Sequence, residues 1–306
     1  MNKNKLDDRL KGSLWGLFVG DALGAPYEFI DRGTYTASET YLAGGTHGLD
    51  EGQWTDDSSM ALCITESINE KGQVDLQDIM SKWADWYYDG YLSSTGVCFD
   101  IGFTTRYAIK TWKNSQELFQ GLNDNKYSGN GGIMRFSPIP VWNHKKSLVE
   151  AVKAGVEVSN LTHPSQYCQS GATLMATLLH AFYHRDSKVD KQQILKNISQ
   201  SSDDKMIKTM IDHVFQNGYD KIYSSGFVIQ SLEAALWALV NSDNFKSGLM
   251  IVMNMGGDVD TVGAIYGQLA GAYYGMSGID SYYLANLFDR EKLEKMVNTL
   301  VDKSYQ

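Results

Sequence analysis

The stretch GGDVDTVGAIYGQLAGAYYG, residues 256–275, combines acidic residues with a regular glycine spacing. Its glycines recur every fourth residue, at Gly263, Gly267, Gly271 and Gly275. Glycine inside a helix costs roughly 1 kcal/mol relative to alanine, so a row on one helix face needs a compensating gain. Residues 12–24 repeat the spacing, at Gly12, Gly16, Gly20 and Gly24. Because a glycine face lets another backbone approach closely, we predict tightly packed central helices whose ends bring functional groups together.

Apolar residues recur at helical spacing along most of the chain. In LQDIMSKWADWY, residues 76–87, they fall at i, i+3, i+4 and i+7, which is the spacing of an amphipathic helix. The same pattern predicts helices at 172–184 and at about 13–24, 56–70, 101–111, 147–159, 191–199, 205–215, 226–241, 245–254, 261–276 and 290–302. We predict helix breaks at the four prolines, Pro26, Pro138, Pro140 and Pro164. No linker interrupts the pattern, which predicts a single compact all-α domain over residues 1–306.

The composition argues against several classes of protein. With 36 acidic and 27 basic residues the formal net charge is −9, so we expect no nucleic-acid binding through a basic surface. The polar N-terminus lacks the apolar core of a signal peptide, and no apolar run reaches the ~20 residues of a membrane span. The widely spaced Cys63, Cys98 and Cys168 predict reduced thiols, each a small core residue, in a cytoplasmic protein. We also expect a monomer.

Acidic residues with threonine stand at the start of two predicted helices. Thr55, Asp56 and Asp57 occur in WTDDSSMALCITESI, residues 54–68, and the second segment holds Asp258, Asp260 and Thr261. One interpretation is helix capping, because Asp and Thr oxygens accept hydrogen bonds from the free N–H groups of a first turn. However, capping requires one such side chain per helix. If the segments meet, four aspartates would balance two hard divalent cations such as Mg²⁺, Mn²⁺ or Ca²⁺.

Five segments resemble the ADP-ribosylglycohydrolase family, which includes dinitrogenase-reductase-activating glycohydrolases and ADP-ribosyl-arginine hydrolases. They are GDALGAPYEF, WTDDSSMAL, GNGGIMR, LTHPSQ and GGDVDTVGAIYGQLAGA, and they span about residues 12–276 in the family's order. The resemblance implies a compact all-α domain with a central binuclear Mg²⁺ or Mn²⁺ site. It implies that the metal ligands are Thr55, Asp56, Asp57, Asp258, Asp260 and Thr261.

The resemblance also implies roles for residues outside the two acidic segments. Glu28 matches an acidic residue beside the metals, and either Glu28 or Asp258 would move a proton. His163, which alone could be structural, matches a histidine beside the ADP-ribose pocket. Asp100, which could instead cap the next helix, matches an acid that holds a guanidinium group. One loop resembles a pyrophosphate-binding loop and comprises Ser128, Gly129, Asn130, Gly131 and Gly132. The neighbouring Tyr127 is a candidate for contact with adenine or ribose.

The predicted activity is hydrolysis of the N-glycosidic bond between ADP-ribose and a protein arginine, with ADP-ribose as product. Alternatives are an ADP-ribosyl-serine or other ADP-ribosyl substrate, phosphate-ester cleavage, or a binding protein that neutralises an ADP-ribosylating toxin. Asp21 in the first glycine-rich helix could be an acid that supports the site or a buried structural acid. The histidines other than His163 are interpreted as surface or packing residues.

Overall fold

A computed structural model describes residues 3–186 and 188–306. Its described part contains helices and no named strand. The helices are α1 Lys3–Gly24, α2 Asp56–Lys71, α3 Leu76–Asp89, α4 Phe103–Ser115, α5 Gly131–Met134, α6 Pro138–Trp142, α7 Leu148–Asn160, α8 Gln166–His184, α9 Lys191–Ser201, α10 Lys205–Gln216, α11 Val228–Val240, α12 Phe245–Met253, α13 Val259–Tyr274, α14 Ser281–Ala285 and α15 Arg290–Lys303. The predicted all-α single-domain fold is therefore confirmed.

Helices α1 and α13 pack against each other along their length and form the centre of the fold. Their glycines face each other so closely that a Cβ on either one would overlap the partner's carbonyl oxygen. The facing pairs are Gly12–Gly271, Gly16–Gly267 and Gly20–Gly263. The pairing is antiparallel, so the end of α1 at Gly24 lies against Asp260 in the first turn of α13. Close backbone packing thus accounts for the glycine spacing and brings two chain segments with acidic residues together.

The remaining helices surround this pair. Helices α8, α11 and α12 pack on α13, while α2 packs on α1, α3 and α15. Cys63 and Cys168 are buried, Cys98 is half-buried, and all three are free thiols. In the described part of the chain, no helix is both long enough and apolar enough to cross a membrane.

Three local predictions are wrong. Helix α13 ends at Tyr274, so Gly275 lies beyond it, in a positive-φ conformation (φ 84°) that a helix interior does not allow. Pro138 directly follows a break between α5 and α6, as predicted, but Pro140 does not mark a break and lies in the first turn of α6, where backbone N–H groups have no intrahelical acceptor. Helix α4 begins at residue 103 rather than at about 101, because its N-cap residue Gly102 has an extended backbone with φ −61° and ψ 151°.

Candidate active site

The two acidic segments meet at the N-termini of α2 and α13. Thr55 and Asp258 are the N-cap residues of these helices, yet neither side chain makes a capping hydrogen bond. Instead, the Thr55 hydroxyl lies 3.5 Å from Asp260 Oδ2, and the Thr261 hydroxyl lies 3.5 Å from Asp57 Oδ1. The side chains of the two segments therefore face each other, and capping does not explain them.

Two carboxylate oxygens in this cluster have no protein partner. Asp57 Oδ2 and Asp260 Oδ1 are buried and accept no hydrogen bond. An unpartnered buried carboxylate oxygen is costly unless a cation or proton compensates for it. One oxygen from each of Asp21, Asp57 and Asp260 lies within 4.8 Å of the others, and the same holds for Glu28, Asp258 and Asp260. These oxygen-only groups fit hard divalent cations.

Asp21 orients the first acidic segment. Its Oδ1 accepts hydrogen bonds from the backbone N–H and hydroxyl of Thr55, both at 2.9 Å. Its Oδ2 accepts from the backbone N–H of Ser58 at 2.9 Å and from the Ser58 hydroxyl at 2.5 Å. Asp21 on α1 thus fixes the start of α2 through four hydrogen bonds, which supports the interpretation of a supporting acid beside the cluster.

The cluster carries acids whose pKa values are displaced upward. Burial, followed by the charges of neighbouring carboxylates, raises the pKa of Glu28 to about 9 and that of Asp100 to about 7. Burial likewise raises the pKa values of Asp56, Asp57 and Asp260 well above the usual range. For Asp258 burial also raises the pKa, although a hydrogen bond from Asn130 at 2.7 Å partly opposes the shift. Such a site stabilises protons or cations.

His47, which the sequence indicates only as a surface or packing residue, lies between two acids of the candidate site. Its Nε2 lies 3.0 Å from Glu28 Oε2 and 3.3 Å from Asp100 Oδ1. Burial lowers the pKa of His47, so the ring is uncharged near neutral pH and its contact with Glu28 is a hydrogen bond. Only its position in the glycine-rich segment GGTHGL, residues 44–49, between two family-like motifs, could have drawn attention to it.

Arg135 is a second residue near the site whose role its sequence position does not indicate. Its guanidinium is buried, lies 4.0 Å from the Trp83 ring centroid, and donates a 2.5 Å hydrogen bond to the Thr162 hydroxyl. Burial lowers its pKa to about 9, while the charges of Asp56 and Asp57 act in the opposite direction. The residue therefore remains a cation below about pH 9, behind the acidic cluster.

A cavity of about 630 Å³ opens onto the acidic cluster. Its lining includes Glu28, Asp56, Asp100, Gly129, Asn130, Gly131, His163, Asp258 and Thr261. Thr55, Asp57 and Asp260 are buried and lie outside this lining. Asp100 does not cap α4, whose N-cap residue is Gly102. The cavity thus brings together residues from most of the predicted site segments.

The loop at residues 127–132 divides between two cavities. Tyr127 and Ser128 line a neighbouring cavity of about 370 Å³, which also borders Phe103 and Gly129. Gly132 lines neither cavity, and a Cβ there would overlap the side chain of Ser159.

His163 packs closely against the glycines of this loop. A Cβ at Gly131 would lie 2.7 Å from His163 Cε1. The His163 Nδ1 lies 2.8 Å from the Thr162 hydroxyl, and burial lowers the pKa of the ring to about 3. His163 is therefore a neutral side chain in the cavity wall.

The fold and this site define an ADP-ribosylglycohydrolase-like protein. The chain matches the ADP-ribosylglycohydrolase family over residues 2–306 and belongs to it. It is 34% identical over 299 residues to the ADP-ribosylarginine hydrolase Tri1 of Pseudomonas putida, covering 98% of this chain and 79% of that protein. It is 31% identical over 312 residues to the ADP-ribosyl-[dinitrogen reductase] glycohydrolase of Rhodospirillum rubrum, covering 99% and 97%.

A solved structure agrees with these relatives. The fold superposes with a TM-score of 0.83 on a chain of an ADP-ribosylglycohydrolase-related protein complex, at 30% identity, covering 98% of this chain and 99% of that one. The fold and the type of enzyme predicted from the sequence are therefore confirmed.

Proposed function

We propose that this protein is a metal-dependent hydrolase that removes ADP-ribose from modified protein arginine. The observation that carries the proposal is the pair of buried, unpartnered oxygens of Asp57 and Asp260 beneath a cavity that Asp100 and Glu28 line. Those oxygens need a compensating charge, which a divalent cation can supply, and the cavity supplies acids for proton transfer and for a cationic leaving group. The arginine hydrolase named among the relatives supports this choice of linkage.

Two divalent cations, Mg²⁺ or Mn²⁺, would bind between the two acidic segments. The residues that would hold them are Thr55, Asp56, Asp57, Asp258, Asp260 and Thr261. When bound, such ions supply Lewis acidity that polarises substrate oxygens and lowers the pKa of water. Asp21 keeps Thr55 in place through its paired hydrogen bonds.

Glu28 would move the proton. Its carboxyl group is 3% exposed and lines the cavity above Asp258 and Asp260. The water oxygen forms a bond to the ribosyl carbon, and the bond from that carbon to the arginine nitrogen breaks. The charge of bound cations would lower the pKa values of the neighbouring acids, so that Glu28, or alternatively Asp258, is a carboxylate that accepts the proton of the water. The departing guanidine nitrogen takes up a proton. The products are ADP-ribose and unmodified arginine.

Asp100 would bind the arginine side chain. Its carboxylate lies at the cavity wall, 14% exposed, with only Oδ1 in contact with His47. The positive φ of 58° at this non-glycine residue fits the strained backbone often found at functional sites. A carboxylate in this position can accept paired hydrogen bonds from a guanidinium group.

The rest of the ADP-ribose would occupy the two neighbouring cavities. Gly129, Asn130, Gly131 and His163 line the first, where backbone N–H groups and a neutral ring suit a pyrophosphate. Tyr127 and Ser128 line the second, where the Tyr127 ring, 6.1 Å from the Phe103 ring, suits a base or ribose. Gly132 could contribute only through its backbone, because the position that a Cβ would take there is occupied by the side chain of Ser159.

The test is release of ADP-ribose from an arginine-modified protein and a serine-modified peptide in parallel, each with Mg²⁺, Mn²⁺ or chelator. Metal-dependent release from arginine alone is expected. Asp100→Asn should reduce that release while leaving Mn²⁺ binding intact, and Asp212→Asn, at an exposed position on α10, serves as the control. Release from serine alone would refute the arginine assignment. Absence of release from both, with retained ADP-ribose binding, would favour a binding protein over a hydrolase.

A further inference from the structure

Helix α4 begins at the wall of the cavity and continues outward from it. Its first turn supplies Phe103 and Arg106 to the cavity lining. With a helical rise of about 1.5 Å per residue, Lys113 lies roughly 10 Å further along the helix axis than Arg106. The helix therefore connects the site of hydrolysis with the outer surface of the protein.

The exposed side of α4 is basic and aromatic. The α4 face comprises Phe103, Arg106, Tyr107, Lys110 and Lys113, which are all exposed and follow a spacing of three or four residues. The other side of the helix is buried through residues such as Ala108, Ile109 and Trp112. Helix α4 contains three cations and no acidic residue, although the chain as a whole has a net charge of −9.

The cations of the α4 face are not neutralised within the protein. Among the residues that the structure describes, none of Arg106, Lys110 and Lys113 forms an ion pair. Lys110 and Lys113 instead lie over aromatic rings on α3, with Nζ 5.6 Å and 5.9 Å from the ring centroids of Tyr87 and Tyr88. By contrast, Lys82 on α3 pairs with Glu66 and Glu70. The α4 face thus presents unpaired positive charge beside exposed aromatic rings.

We propose that the α4 face is the docking surface for the protein that carries the ADP-ribosylated side chain, and that it recognises acidic residues flanking the modified position. This proposal rests on the proposed hydrolase function. With ADP-ribose in the cavity and the modified side chain at Asp100, the attached polypeptide leaves beside Phe103. Only Ile101 and Gly102 separate Asp100 from this first residue of α4, and both Asp100 and Phe103 line the cavity. Complementary charge then increases the rate of encounter and selects the partner.

The test uses three peptides of equal length, each with one ADP-ribosylated arginine, flanked by glutamates, serines or lysines, together with free ADP-ribosyl-arginine. We expect the glutamate-flanked peptide to have the highest kcat/KM, with the advantage shrinking at high salt. The overall negative charge alone would predict the reverse order. Lys110→Glu with Lys113→Glu should lower kcat/KM for the glutamate-flanked peptide about tenfold or more and leave free ADP-ribosyl-arginine unchanged.

The matched control is Lys292→Glu with Lys295→Glu on α15, which makes the same charge change at the same spacing away from the cavity. It should leave the order of the peptides unchanged. An unchanged order in the α4 variant, or an equal loss on free ADP-ribosyl-arginine, would overturn the proposal. If no arginine-linked substrate is hydrolysed, the proposed function fails. Binding of fluorescent versions of the three peptides to the protein in chelator still measures docking. Equal affinity for the three peptides would refute the α4 face as the docking surface.

Discussion

The Nε2 atom of His47 lies 3.0 Å from Oε2 of Glu28. This contact is built by a closed turn in which Gly44 and Leu49 exchange backbone hydrogen bonds of 2.7 Å and 3.0 Å. Gly45 in the turn packs so closely on Pro26 that a Cβ there would lie 2.8 Å from the Pro26 Cα. The turn is therefore fixed against the residues that precede Glu28, and it directs His47 between two acids.

His47→Ala should lower kcat for an arginine-linked substrate, because Glu28 and Asp100 would lose the group that holds them. The expected loss is roughly ten- to a hundredfold, equivalent to about 1.5–3 kcal/mol for a hydrogen bond to a charged group. His47→Gln retains an N–H donor and should recover part of this loss, which a purely structural role would not produce. The measurements are kcat, KM and ADP-ribose affinity, with His180→Ala on α8 as control. Wild-type kcat in His47→Ala would refute the positioning role.

Asp57→Asn and Asp260→Asn should each weaken Mn²⁺ binding, measured by titration calorimetry, by at least about tenfold. Both carboxylates have a buried oxygen without a partner, and the amide removes the charge while keeping the shape. For the same reason each variant should melt at a higher temperature than wild type in chelator, by a few degrees for a gain of roughly 1 kcal/mol. Added Mn²⁺ should raise the melting temperature of wild type but not of the variants.

The control for this pair is Asp212→Asn, which changes an exposed carboxylate on α10. It should leave both Mn²⁺ affinity and the metal-free melting temperature at wild-type values. Wild-type Mn²⁺ affinity in both cluster variants would show that these aspartates do not hold the metal.

The metal-free protein should lose stability as the pH rises. Burial and neighbouring carboxylates raise the pKa of Glu28 from 4.5 to about 9 and that of Asp100 from 3.8 to about 7. Between the unfolded and folded pKa values of each acid, the folded state binds more protons than the unfolded state. The free energy of unfolding therefore falls as the pH rises through this range. In chelator, the melting temperature should be higher at about pH 5 than at about pH 8. The double variant Glu28→Gln, Asp100→Asn should show a smaller fall in melting temperature than wild type. A fall equal to that of wild type would show that other groups cause it.

Local patterns were sufficient to predict the longer helices and the two acidic segments, but not the short helices α5, α6 and α14. Apolar spacing predicted α3 and α8, and the rows of glycine predicted the close packing of α1 and α13. These features depend on residues near one another in the sequence or on a regular repeat. The pairing of Thr55 with Asp260 was expected only if the two segments met, and the antiparallel register of α1 and α13 is what brings them together.

The contacts of His47 could not be predicted in the same way. They depend on the path of a loop without periodicity, and 19 residues separate His47 from Glu28 in sequence. The end of α13 before Gly275 depends on a single positive φ angle. The role of the α4 face was also invisible in composition, because three local cations are outweighed by a net charge of −9. Tertiary placement, rather than residue type, decides each of these features.

Gly267→Ala should destabilise the protein, although alanine is the better helix former by roughly 1 kcal/mol. A Cβ at position 267 would overlap the carbonyl oxygen of Gly16, and separating two packed backbones typically costs about 1–3 kcal/mol or more. After the gain in helix propensity is subtracted, the expected net loss in chemical denaturation is roughly 1 kcal/mol or more. Because the same helix pair places Asp260 beside Gly24, Mn²⁺ affinity should fall as well. Gly218→Ala, where no atom lies within 4 Å of the added Cβ, should leave both quantities unchanged. Wild-type stability in Gly267→Ala would show that the two helices can separate without cost.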